Sequence, residues 1–271
     1  MDNRPIGVFD SGLGGLTVVR QLLTQLPGED IVYFGDTGRV PYGTRSEETI
    51  RKYAGQDCRF LLGHDVKMII AACGTVSSVA PEVLAELPVP AIGVVEPAAD
   101  AAAAATRNGR IGVIGTAATV RAGSFRRRLL QNDARLQVFQ QPCTLFVPLV
   151  EAGWIDRDDA VTRLTAERYL APLKEQGVDT LILGCTHFPL LSPILNDLLD
   201  GQVTLIDAGQ EAAAACAALL TQQDKLNCTK RLGMCRFTVS DRPDGFSHVA
   251  QMFLGRDVDG DVETVSIDAL A

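Results

Sequence analysis

Histidine is scarce in this chain, with three residues, tryptophan occurs once, and no two of the seven cysteines form a Cys-x-x-Cys pair. An odd number of thiols without that spacing, beside so few imidazoles, argues against both a disulfide framework and a zinc site. Positive charge is also short: 25 Lys and Arg stand against 33 Asp and Glu, a formal net charge of -8. Phosphate binding needs a clustered basic face, so no nucleic-acid partner is expected. The one basic run, Arg126-Arg127-Arg128, reads as a solvated helix face. No apolar run approaches the length of a membrane span, and the first residues lack the charged-then-apolar layout of a signal peptide. A cytoplasmic protein without a membrane partner is expected.

What is present is an ordinary globular composition, 46% hydrophobic and 21% charged over 271 residues, enough for one large domain or two medium ones. The organising stretch is Val178-Asp179-Thr180-Leu181-Ile182-Leu183-Gly184-Cys185-Thr186-His187. Its short apolar run reads as a strand buried on both faces, and Gly184 lets the backbone turn where reactive side chains begin. In an open α/β sheet, ligands bind at that end of the strands. The same design occurs in Met68-Ile69-Ile70-Ala71-Ala72-Cys73-Gly74-Thr75. Ile6-Gly7-Val8-Phe9 and Ile111-Gly112-Val113-Ile114 form a second matching pair, each some way ahead of a cysteine strand. One α/β unit used twice accounts for both echoes. The expected fold is therefore α/β, with two similar lobes, each a mostly parallel sheet flanked by helices, related by a pseudo-twofold with the active site between them.

In chain order, the first strand runs from Ile6 to Phe9 into the glycine-rich turn Asp10-Ser11-Gly12-Leu13-Gly14-Gly15 and a helix. The turn matches neither the dinucleotide spacing nor a P-loop, leaving backbone N–H groups suited to a small carboxylate, with Asp10 as a possible helix cap. A strand from Ile31, the shaped loop Val40-Pro41-Tyr42-Gly43 and a helix capped by Ser46 follow. Ala91 to Val95 reads as a strand that Glu96-Pro97 ends, and Ala98 to Thr106 as a helix joining the lobes. This sets the first lobe at 1–97 plus 208–271, carrying Cys73, and the second at 98–207, carrying Cys185. Pro148 to Gly153 is apolar except for Glu151, which is compatible with a solvent-facing acid. The tail reads as a strand over Arg236–Ser240, a helix over Phe246–Leu254 and a closing strand over Val262–Ile267.

A thiol at a helix N-terminus, beside hydroxyls and a histidine, is expected to ionise readily because the positive dipole end favours its charge. A single such cysteine could equally be a small buried hydrophobe, the reading given to Cys58, Cys143 and Cys216. Two, delivered by equivalent strands, suggest bases on opposite sides of one substrate carbon. One as thiolate and one as thiol can remove a proton from one face and return it to the other, which is racemisation or epimerisation. No metal and no cofactor is required.

The motifs Gly7-Val8-Phe9-Asp10-Ser11-Gly12, Asp36-x-x-x-x-Pro41-Tyr42-Gly43, the Cys73 strand, Gly184-Cys185-Thr186-His187-Phe188-Pro189-Leu190-Leu191, Ser240-Asp241 and Phe253-Leu254-Gly255 span nearly the whole chain. In that order they resemble the glutamate racemases, cofactor-independent members of the aspartate/glutamate racemase superfamily. The resemblance implies that Cys73 and Cys185 are catalytic, with Cys73 acting on D-glutamate and Cys185 on L-glutamate. Asp10 and His187 would assist them, with Glu151 a further acid. It implies that glutamate is held by Asp10, Ser11, Pro41, Tyr42, Gly43, Gly74, Thr75, Thr116, Thr119, Thr186 and His187, in a homodimer that supplies D-glutamate for peptidoglycan. The family usually has Asn after the first cysteine; Gly74 stands there instead, which bears on affinity rather than reaction type. An aspartate racemase, a single-cysteine lyase of the arylmalonate decarboxylase kind and a non-enzymatic binding protein are the competing readings.

Overall fold

The computed structural model describes residues 1–229, 231–241, 246–258 and 262–270. Ten strands and twelve helices are described. In the first stretch, β1 (Ile6–Asp10), α1 (Leu16–Gln25), β2 (Ile31–Gly35), α2 (Glu47–Leu62), β3 (Met68–Ala71), α3 (Gly74–Val79), α4 (Pro81–Ala85) and β4 (Ala91–Gly93) follow one another. The middle holds α5 (Val95–Ala105), β5 (Arg110–Gly115), α6 (Ala117–Ala122), α7 (Ser124–Asn132), β6 (Gln137–Pro142), α8 (Phe146–Glu151), α9 (Ala160–Glu175), β7 (Thr180–Leu183), α10 (Ser192–Leu198) and β8 (Thr204–Asp207). The chain ends with α11 (Ala208–Gln222), β9 (Cys235–Val239), α12 (Phe246–Leu254) and β10 (Glu263–Thr264).

These strands form two parallel sheets, ordered β10-β9-β2-β1-β3-β4 and β6-β5-β7-β8. Within the first sheet β2-β1-β3-β4 has the same order as the whole of the second, so the repeat seen in the sequence is a repeat of topology. β1 lies between β2 and β3, with Ile6 opposite both Ile31 and Met68. β5 lies likewise between β6 and β7, with Ile111 opposite Thr180. In each sheet the strand order reverses beside the central strand, and both cysteines leave the strand next to that reversal.

Alternation along the strands divides the core. Val8 and Ile70 point into a core shared with Ile111, Val113, Leu181 and Leu183, whereas Phe9 and Ile69 face α2 on the other side of the first sheet. The shared core is bridged by helices: α5 packs on α7 and α11, and α1 on α11. Ala98, Ala99 and Ala102 of α5 and Ala212 and Ala213 of α11 are fully buried there, and such small side chains let helices approach closely.

Several boundaries differ from the sequence reading. The strand at Ala91 ends at Gly93, and α5 already begins at Val95, with Glu96 and Pro97 in its first turn. Proline is tolerated there because the amide it lacks would have no intrahelical acceptor, so Pro97 starts the helix rather than separating it from a strand. The segment from Pro148 belongs to α8. The closing strand shrinks to Glu263–Thr264, and Ile267–Leu270 is a 3₁₀ turn. Ser46, Thr116, Asp159 and Asp207 each cap the helix they precede through a side-chain oxygen.

Candidate active site

The carboxyl ends of the two sheets enclose a cleft of about 340 Å³. From the first sheet's side it is lined by Ser11, Pro41, Tyr42, Gly43, Cys73, Gly74 and Thr75; from the second come Thr116, Glu151, Cys185, Thr186 and His187. The two thiols expected from the matched strand ends therefore open into one space. Two of the expected contacts do not line it. Asp10 is 1% exposed and lies behind the wall, and Thr119 is equally buried, its hydroxyl 3.0 Å from that of Thr116.

Cys73 occupies the N-cap position of α3, with its sulfur 3.6 Å from Ser11 Oγ. Readier ionisation, expected from the helix dipole, is not what this environment produces. Burial pushes the Cys73 thiol up to about 12, the charge of Asp10 adds to the rise, and the opposing contacts from the Val76 amide and Ser11 are too weak to reverse it. A dipole built on six helical residues loses to desolvation. Burial thus favours the thiol form of Cys73.

Asp10 takes the Gly12 amide on Oδ2 at 2.9 Å, while Oδ1 is buried without a hydrogen bond. It does not cap α1, whose N-cap is Gly15. Burial raises its pKa, against the pull of the charge on His187 and of the Gly12, Gly15 and Ser11 amides. The amides of the glycine-rich turn thus meet a carboxylate of the chain itself. Gly14 has a separate purpose: a Cβ there would lie 2.2 Å from Thr186 Oγ1 and 2.7 Å from the His187 ring. Glycine at that point lets the turn after β1 pass beneath the residues that follow Cys185.

Around Cys185 the groups form a chain. His187 Nδ1 lies 3.8 Å from Cys185 Sγ and 3.3 Å from Thr186 Oγ1, and Nε2 lies 3.0 Å from Glu151 Oε1. Burial alone would depress the imidazole; the hydrogen bonds to Cys185 and Glu151 outweigh it and lift His187 to about 10. As imidazolium it donates from both nitrogens, one toward the sulfur and one toward the carboxylate. Glu151, which the sequence left between solvent and site, does both: it lines the cleft and remains 52% exposed.

The loop after β2 is held from behind. Tyr42 gives its phenol to Asp36 and stands 3.0 Å from Asp57 Oδ2, so its ring and backbone, rather than its hydroxyl, are what the cleft receives. Arg39 pairs with Asp36 and with Asp57 at 3.0 Å, over the ring of Tyr53 at 4.2 Å. Ser240 joins Asp36 to the Gly38 amide at 2.7 and 2.9 Å. Asp36, Tyr42 and Ser240 fall in motifs quoted from the sequence, whereas Arg39, Tyr53 and Asp57 did not stand out there. Also missed were Cys143, Thr144, Val147 and Pro148, which line the cleft after β6. The repeat itself carried that signal, because β6 is the counterpart of β2 and its following loop takes the place of Val40–Thr44. Cys143 is buried as expected of a packing residue, yet it also borders the cleft. Among the described residues no three His, Cys, Asp or Glu side chains group closely enough to hold a metal ion, and no helix is long and apolar enough to cross a membrane.

Two like-ordered parallel sheets with a thiol from each at a shared cleft define a two-lobed α/β protein of the paired-cysteine kind. The family model of the Asp/Glu/Hydantoin racemases matches residues 6–216, and the chain belongs to that family. Among its relatives, the glutamate racemase of Geobacter metallireducens is 45% identical over 267 residues, covering 98% of both chains. That of Neisseria meningitidis serogroup B is 46% identical over 266 residues, 97% of each. The structure of glutamate racemase from Francisella tularensis in complex with D-glutamate superposes with a TM-score of 0.92 at 39% identity, over 99% of this chain and all of that one. The Thermus thermophilus enzyme, in complex with beta-chloro-D-alanine, gives 0.88 at 40% identity, with 99% of each chain covered. An aspartate racemase from Picrophilus torridus shares the fold alone, with a TM-score of 0.59 at 17% identity over 84% of this chain and 95% of that one.

Proposed function

We propose that the chain is a cofactor-independent glutamate racemase that moves the α-proton between Cys73 and Cys185. The observation that carries this reading is the pair of thiols at matched strand ends of one small cleft, in a chain similar over its whole length to glutamate racemases.

The unequal surroundings of the thiols support one direction for the first proton transfer. The His187 imidazolium beside Cys185 supplies the positive charge that a thiolate there needs, whereas Cys73 keeps its proton. With L-glutamate bound, the Cys185 thiolate takes the α-proton, and the electron pair is left on Cα. The Cys73 thiol then protonates the opposite face, giving D-glutamate, a neutral Cys185 and a Cys73 thiolate. Asp10, held toward its acid form by burial, is the group near Cys73 suited to relay a proton, and His187 with Glu151 serves Cys185. The reverse reaction begins with the Cys73 thiolate and D-glutamate.

The Thr75 and Thr116 hydroxyls, 3.0 Å apart across the cleft, with Ser11, Thr186 and the Gly43 and Gly74 backbone, are the groups suited to the substrate carboxylates and amine. Thr119 supports Thr116 from behind, and Pro41 and Tyr42 shape the wall. Lobes 1–97 with 208–271, and 98–207, would close over the substrate so that bulk water does not quench the carbanion. A homodimer in the cytoplasm, supplying D-glutamate for peptidoglycan, completes the reading.

The test is incubation of the purified protein, without added cofactor, with L-glutamate in deuterated water, following optical rotation and α-deuteration together. Rotation decaying to zero with deuterium in the product is expected. No exchange with either enantiomer of glutamate would refute the activity, and faster exchange with aspartate would reassign the substrate.

A further inference from the structure

One motif of the tail, Phe253-Leu254-Gly255, takes no part in the proton transfers. Its residues dock the end of α12. Gly255 closes the helix in the left-handed region at φ 76°, its amide donating to Gln251 O at 2.8 Å. A Cβ there would meet Arg20 Cδ of α1 at 3.1 Å, so the turn fits closely against the first lobe. Leu254 joins the core shared by the lobes, and Phe253, fully buried, packs on His187. The two ring centroids lie 4.9 Å apart with their planes at 79°, an edge-to-face pair.

His187 belongs to the second lobe, yet two surfaces against its ring come from the first. One is Phe253. The other is the turn after β1, where a Cβ on Gly14 would lie 2.7 Å from both Cε1 and Nδ1 of the imidazole. Next to it, Thr17 Oγ1 donates to Thr186 O at 3.1 Å and ties the same turn to the residue before His187. The titratable groups acting on the imidazole are Cys185, Glu151 and, from the turn after β1, Asp10. Glu151 is 52% exposed, so its carboxylate can follow the ring through a rotation or exchange it for water. That hydrogen bond supplies charge without fixing the plane. Buried neighbours do fix it, because a close-packed interior leaves a ring no second orientation.

We infer that Phe253 is a positioning residue: its buried ring holds the His187 imidazole in the plane that turns Nδ1 toward Cys185, so the tail of one lobe orients the acid–base pair of the other. The inference rests on the two-thiol racemase reading, in which His187 serves Cys185. Phe253 does not line the cleft and acts only through His187. Leucine at 253 removes the flat ring and gives the imidazole room to turn about its Cβ–Cγ bond, taking Nδ1 away from the sulfur. The thiolate of Cys185 then loses the cation that favours it.

The experiment compares the parent with Phe253→Leu and Phe34→Leu. Phe34 is equally buried, packs on Phe60 at 4.6 Å on the α2 side of the first sheet, and controls for the loss of a buried ring alone. Each protein is alkylated with iodoacetamide between pH 6 and 10, and the Cys73 and Cys185 peptides are quantified separately by mass spectrometry. The readout is the Cys185 rate at pH 7 divided by its rate at pH 10, which cancels any change in access. In Phe253→Leu this ratio is expected to fall about tenfold, the equivalent of one pKa unit, while the same ratio for Cys73 stays in place. Racemisation of L-glutamate should lose about tenfold in kcat with little change in KM, and Phe34→Leu should lower Tm and leave the Cys185 ratio alone. An unchanged Cys185 ratio in Phe253→Leu, or an equal fall at Cys73 or in Phe34→Leu, overturns the inference. A parent that does not racemise glutamate overturns the two-thiol reading instead, and the alkylation ratio still decides what Phe253 does to His187. Whether or not the variant folds, nuclear Overhauser contacts between the His187 and Phe253 rings are expected in the parent with D-glutamate bound, and their absence overturns the inference.

Discussion

Replacing Glu151 with glutamine should move the alkaline limit of the L-to-D reaction to lower pH. The carboxylate sits 3.0 Å from His187 Nε2 and, with Cys185, holds the imidazolium against burial, lifting it from 6.5 to about 10. Glutamine keeps an oxygen at that place and removes the charge. A hydrogen bond to a charged group contributes about 1.5–3 kcal/mol, and one pKa unit corresponds to about 1.4 kcal/mol. Because Glu151 is half exposed, solvent screening reduces the effect to about one unit. The sign follows from the protonated form being the one that Glu151 favours: without its charge, His187 loses its proton at lower pH, and Cys185 loses its cationic neighbour. The same shift acts on folding. A histidine whose folded pKa exceeds its unfolded one contributes stability fully below about 6.5, and this is lost as pH rises through about 10. The assay is kcat/KM for L-glutamate between pH 7 and 11 in both proteins, with melting temperature across the same range. An alkaline limb that stays in place, or moves upward, would refute the assignment of His187 as the charged partner of Cys185.

Each thiol should exchange only its own enantiomer. Cys73→Ala is expected to abolish racemisation while Cys185 still introduces deuterium into L-glutamate, and Cys185→Ala to leave exchange into D-glutamate alone; the opposite dependence, read by mass spectrometry of the separated enantiomers, would reverse the roles. Behind the loop of Tyr42, Arg39→Met leaves the Asp36 carboxylate buried without its cation and should cost about 3–5 kcal/mol in urea unfolding. Burial, with the charge of Asp36 adding to it, pushes Asp57 well above the ordinary carboxylate range, so Asp57→Asn replaces a group already neutral. It should lose far less stability than Arg39→Met, and equal losses would argue that Asp57 is ionised.

The parts of the molecule legible in sequence are those written twice. Leu181 to Leu183 and Met68 to Ala71 announce buried strands because both faces are covered, and each delivers Cys and Thr at its end. What stayed hidden depended on distances between elements remote in sequence. Arg39, Gln56 and Asp57 join Asp36 and Ser240 in one cluster only when α2 and β9 fold against the loop after β2, and no local pattern marks those three for that. Pro97 misled for the opposite reason, since the same residue that ends a strand is also suited to the first turn of a helix.

The thiols show why a motif identifies a site before it defines the charge there. Both cysteines follow a strand, and the dipole argument applied to them alike. The structure makes them unequal through residues the repeat does not share: Asp10 and a buried wall beside Cys73, His187 and the half-exposed Glu151 beside Cys185. A two-base exchange needs that inequality at every instant, because two thiols cannot accept a proton and two thiolates cannot donate one. On the proposed mechanism, duplication supplies two bases at opposed positions, and divergence of their neighbours lets them differ in charge.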